Sequence, residues 1–166
     1  MQPQQPDLSP RRPTMQPAPS ADTPPPLRPL ALLVVKQGVG LGGLPTAQLT
    51  LALAFVWAGL PQDTRNEAGI NQALKAQLAG PAAFLDTDHV ELRRWLVDMG
   101  CLQRDGYGRA YQRVPLEHLP EGLQAQARLL QDLDTEPWAQ AQREKQAFAR
   151  RARRAAWEGR APENGA

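Results

Sequence analysis

Arginine supplies most of the chemistry this sequence can offer a ligand. Arg93 and Arg94 stand side by side, Arg104, Arg109 and Arg113 follow within twenty residues, and Arg150, Arg151, Arg153 and Arg154 crowd into five positions further on. A guanidinium carries a fixed charge and a fork of donors that fits phosphate oxygens. Cations spaced along a surface neutralise a phosphate backbone, and those on a groove-entering helix reach base edges. These nine residues are the candidate nucleic-acid contacts, and Arg143, Lys145 and Arg160 enlarge the second group. A plainer account competes with this one. Arg94 follows Glu91 by three residues and precedes Asp98 by four, a spacing that allows intrahelical ion pairs. The last basic group can likewise dock on the acidic stretch from Glu117 to Glu136.

Other chemistries lack partners. Gly38-Val39-Gly40-Leu41-Gly42-Gly43 fits G-x-G-x-x-G, but no second strand with an acidic residue follows at the distance a dinucleotide site needs, so a hinge is expected there. His89 and His118 are the only histidines, Cys101 is the only cysteine, and neither spacing builds a metal site or a disulfide. The serines, Ser9 and Ser20, both fall in a proline-rich stretch. Asp86, Asp88 and Glu91 form an acidic group, but a helix N-terminus favours carboxylates without catalysis. No enzyme, cofactor, metal or small-molecule substrate is expected.

The elements that must position the arginines follow from the pattern of the chain. Ten of the 17 prolines precede residue 30, where large apolar residues are scarce, so residues 1–29 read as disordered and residues 1–43 as an arm ending in a glycine-rich hinge. Leu30 to Val35 reads as a short strand. Leu49 to Ala58 is apolar nearly all round, which predicts a buried helix, and the whole apolar stretch from Leu49 to Leu60 is too short for the roughly 20 residues of a membrane span. Thr64 and Glu67 have the spacing of a capping box for a second helix carrying Ile70, Leu74 and Leu78, closed by Gly80-Pro81. A third helix is predicted from Asp86 or Thr87 to Gly100, packing Leu92, Trp95, Leu96 and Met99. Two short runs about Asp105-Gly106-Tyr107-Gly108 predict a β-hairpin. Helical pieces are predicted over 121–133 and 136–157.

Charge is distributed unevenly. The formal net charge is +2, yet residues 44–114 carry seven charges of each sign, residues 115–138 one cation against five anions, and residues 139–166 seven cations against three anions.

The run Asp88-His89-Val90-Glu91-Leu92-Arg93-Arg94-Trp95-Leu96-Val97-Asp98, followed by Leu102-Gln103-Arg104-Asp105-Gly106 and Tyr111, resembles a bacterial domain-of-unknown-function family. Its members show a leucine-Arg-Arg, leucine-Val-Asp core and then a glycine-containing hairpin ending in tyrosine. Glu67, Ile70 and Asn71 fit its upstream helix, and the resemblance covers about residues 46–114. It implies a winged-helix-like fold, found alone or attached to ArsR-type regulators, with gene regulation as the inferred role and no catalytic residues.

The expectation is a mainly α protein in which residues 44–114 form a winged helix-turn-helix-like domain with a small hairpin and residues 115–166 a helical extension. Its expected function is DNA binding in transcription regulation, with double-stranded DNA as partner, a homodimer possible through the C-terminal helix, and a cytoplasmic setting without membrane contact. The alternative is a protein-interaction module that keeps the fold without binding nucleic acid.

Overall fold

The computed structural model describes residues 23–160. Of the arm expected over residues 1–43, residues 1–22 lie outside the described residues, and the rest packs on the core through Leu27, Leu30 and Leu41, which corrects the disorder expected up to residue 29. A 3-10 turn, Pro25–Leu27, leads into α1 (Arg28–Val34), which buries Leu30, Leu33 and Val34. This corrects the strand expected over Leu30 to Val35. The buried positions recur at three- and four-residue spacing, so a short apolar run resolves as helix once one face has a core to meet.

α2 (Thr46–Ala58) is the centre of the molecule. Every residue from Leu51 to Trp57 is buried, so the helix has no solvent face over its last two turns. Burying side chains such as Phe55 and Trp57 stabilises the fold by roughly 1.5–3 kcal/mol each. The cover comes from all sides. α5 (Glu121–Leu130) packs along α2 through Leu123, Ala127 and Leu130. α6 (Thr135–Glu158) places Trp138 against Phe55 at 5.8 Å between ring centroids, and Phe84 lies 6.4 Å from the same ring. One apolar cluster therefore runs from Leu27 to Ala139.

After α2 the chain forms β1 (Arg65–Asn66), α3 (Glu67–Ala79), α4 (His89–Asp98), β2 (Leu102–Arg104) and β3 (Ala110–Arg113). The sheet is antiparallel with order β1-β3-β2, pairing Arg65 with Tyr111 and Arg104 with Tyr111 from the other side. Helix, strand, helix, helix, hairpin, with the first strand closing on the hairpin, is a winged-helix-like arrangement. The capping-box reading is corrected. Asn66, not Thr64, caps α3, its Oδ1 accepting from the Gly69 N–H at 2.8 Å, because Arg65 and Asn66 are drawn into the sheet. Asp88, not Asp86 or Thr87, caps α4 and accepts from the Val90 and Glu91 N–H groups at 2.9 and 2.8 Å.

The link between α3 and α4 is held in place. Val39 donates to the Phe84 carbonyl at 2.9 Å and accepts from the Asp86 N–H at 2.8 Å, so the glycine-rich segment pairs with the link. Gly38 takes a positive φ of 68° to make that turn, which only glycine adopts readily. The segment expected as a hinge is thus tied at Val39 and buried at Leu41.

Candidate nucleic-acid interface

The nine arginines fall into very different surroundings. α4 buries Leu92 and Leu96 completely, which turns Arg93 toward α3 and the sheet. Arg93 Nη1 donates to Glu67 Oε1 at 3.1 Å and to Asn71 Oδ1, and its guanidinium lies 5.3 Å from the Tyr111 ring centroid. Its side chain keeps 15% of its accessible surface. Arg93 is therefore a clasp joining α3, α4 and β3. Arg113 is engaged as well. Its Nη1 lies within 3.3 Å of the Trp57, Ala58 and Leu60 carbonyls at the end of α2, and its guanidinium stacks 4.3 Å from the Trp57 ring. A cation there satisfies orphan carbonyls and the negative end of the helix dipole. Burial pulls its pKa below the ordinary value.

Arg94, Arg104 and Arg109 face solvent, and none joins the three ion pairs among the described residues. The pairing of Arg94 with Glu91 that the spacing allows does not form, since Glu91 instead accepts from the Thr87 hydroxyl at 2.8 Å. The hairpin tip is built around Asp105, whose Oδ1 accepts from the Arg109 and Ala110 N–H groups at 2.7 and 3.2 Å. Those donors, Ala110 first, hold its carboxyl below the usual range. Gly108 at φ 68° closes the turn, the Arg104 side chain lies alongside it, and Tyr107 stands 87% exposed at the tip. Between α4 and the hairpin runs an open cleft of about 540 Å³, lined by Arg93, Arg94, Asp98, Arg104, Asp105 and Tyr111.

The second arginine group is arranged differently. Arg143 anchors α6 by donating to the Pro81 carbonyl at 2.8 Å and the Val34 carbonyl at 3.4 Å, and burial lowers its pKa. From Ala147 to Arg160 every residue is exposed. Arg150, Arg151, Arg153 and Arg154 thus stand on a projecting helix, with one ion pair among them, Arg154 to Glu158 at 3.0 Å. The helix does not fold back on the acidic stretch from Glu117 to Glu136.

Sequence reasoning missed the partners of Arg93. Glu67 and Asn71 are one turn apart on α3, and that spacing beside an Arg-Arg pair was the available signal. No three His, Cys, Asp or Glu residues among the described residues gather to hold a metal, and no helix among them is long and apolar enough to cross a membrane.

The fold and the site define a mainly helical, winged-helix-like module with an appended basic helix. Residues 46–113 match the model of a family described as "Uncharacterized protein conserved in bacteria (DUF2087)". No curated protein and no solved structure matches the chain.

Proposed function

We propose that this protein binds duplex DNA as a bacterial transcription regulator in the cytoplasm, holding phosphates with the projecting part of α6 and with the hairpin. The observation that carries this reading is the tip of α6, where Arg150, Arg151, Arg153, Arg154 and Arg160 stand exposed and Glu158 is the one carboxylate beside them among the described residues. Arg104 and Arg109 extend the contact on the hairpin, and Arg94 adds one cation on α4. The implied kinship with modules attached to ArsR-type regulators supports the same role. Arg93 and Arg113 serve by holding α4 and β3 in place.

Such binding is governed by counterion release. Six phosphate contacts, four from α6 and two from the hairpin, give a slope of log K against log salt of roughly −5, and losing the α6 contacts leaves roughly −2. Fluorescence anisotropy on a random duplex, with salt varied from about 50 to 200 mM, reads both slopes. The test variant carries Arg150→Glu, Arg151→Glu, Arg153→Glu and Arg154→Glu together. A salt-independent response, or equal binding by the variant, refutes the proposal.

One observation favours a second reading. The exposed face of α4 presents Asp88, Glu91 and Asp98 against Arg94 alone, a poor surface for a groove and a better one for a basic protein partner. Charge reversal of Arg94 that leaves DNA retention unchanged, together with a flat salt response, selects that reading.

A further inference from the structure

α6 has a face that the core does not use and that the proposed DNA contact touches only at Arg151. At about 100° per residue, Thr135, Ala139, Gln142 and Gln146 face the body, and Arg150, Arg153 and Trp157 continue that side beyond it. The opposite side presents Pro137, Ala141, Phe148 and Ala155 with Glu144 and Arg151 along one edge, all exposed. Phe148 keeps 68% of its surface in water and sits close to the middle of a helix of 24 residues, roughly 36 Å long. Leu32, also 68% exposed, lines the adjoining groove between α1 and α6 with Lys145 and Ala149, widening the apolar surface on one flank.

Charge along the axis identifies what covers this face. From Asp132 to Glu144 the anions are Asp132, Asp134, Glu136 and Glu144, and the single cation, Arg143, is committed to two carbonyls. From Lys145 to Arg160 there are six cations and one anion, Glu158. The segment is acidic at its base and basic at its tip. We propose that the outer face of α6 pairs antiparallel with the same face of a second copy of this chain, the two helices crossing at Phe148. A two-fold axis there brings the one tip cation on this face, Arg151, to the other copy's Glu144, whereas a parallel pair would set Arg151 level with Arg151. Glu144 and Arg151 lie on the same edge of the face, almost equally far from Phe148 on either side, so each meets the other across the axis. The helix dipoles also oppose each other in this orientation. A nucleic acid or an acidic protein would meet only the basic tip and would leave Phe148 and the acidic base uncovered. Arg150, Arg153 and Arg154 point away from the paired face and stay available to phosphate.

The pairing stands independently of the DNA reading, and its test contains no DNA. Light scattering on the full chain is expected to give twice the chain mass, and Phe148→Glu is expected to halve it with the helical circular dichroism unchanged. Cysteine placement fixes the orientation, because the natural Cys101 is buried and silent. Phe148→Cys is expected to form a disulfide-linked dimer on oxidation. Ala141→Cys and Ala155→Cys chains are expected to cross-link to each other when mixed, and neither with itself. A monomeric wild-type chain, a Phe148→Glu chain that stays dimeric, or self-linked Ala141→Cys overturns the proposal.

Discussion

Replacing Arg93 by alanine separates a residue that holds the fold from one that touches a ligand. The substitution removes a hydrogen bond to Asn71, an ion pair with Glu67 at 3.1 Å and a stack over Tyr111 at 5.3 Å. Glu67 is 56% exposed, so the ion pair is screened and contributes only about 0.5 kcal/mol. The hydrogen bond contributes about 1 kcal/mol and the cation–π contact about 0.5–1 kcal/mol. Together these give a loss of roughly 2 kcal/mol, or a drop in Tm of about 4–8 °C for a chain of this size. Urea denaturation followed by circular dichroism measures the loss, and anisotropy on duplex DNA measures binding at a temperature where both proteins are folded. The expected result is a lower midpoint with DNA affinity within twofold of wild type. An unchanged midpoint with affinity reduced tenfold or more would show that Arg93 is spent on a ligand, and the clasp would be refuted.

Two other outcomes follow from the geometry. The backbone donors of Glu91 and then Val90 lower the Asp88 carboxyl below its ordinary value of 3.8, so its contribution is present above that value and is lost as the pH falls through the lower folded-state value. The stability of Asp88→Asn is accordingly expected to fall less steeply than wild type below about pH 4 in acid titrations followed by fluorescence; parallel curves would contradict the cap. Burial pushes the Cys101 thiol up to about 12, and the side chain is fully enclosed, so native protein is expected to resist a thiol reagent at pH 8 and to react once unfolded in urea. Rapid labelling of the native protein would count against the packing around β2.

Much of the fold was legible in the sequence because its signals are local. The all-apolar run in α2, the four-residue spacing in α3, the hairpin and the break before Pro137 each depend on neighbours within a turn or two. What escaped depends on distant partners. β1 is only two residues long and exists because β3 lies beside it. α1 reads as a strand until α2 and α6 appear against it. The arginine list shows the same division. Sequence marks all nine as cations, yet Arg93 and Arg113 are engaged by residues 20 or more positions away, Asn71 and Glu67 for one and the end of α2 for the other. Only the folded surroundings distinguish these from Arg150 or Arg104.

The wrapping of α2 bears on how this unit can be transplanted. The matched segment, 46–113, contains α2 but not Leu30, Leu33, Val34, Leu123, Ala127 or Leu130, which shield its flanks. A helix greasy on every side cannot serve as an outer wall, so a fragment trimmed to the shared segment would expose a continuous oily ridge. Any chain borrowing that segment must bring its own jacket, either as flanking helices or as a subunit pressed against the same ridge.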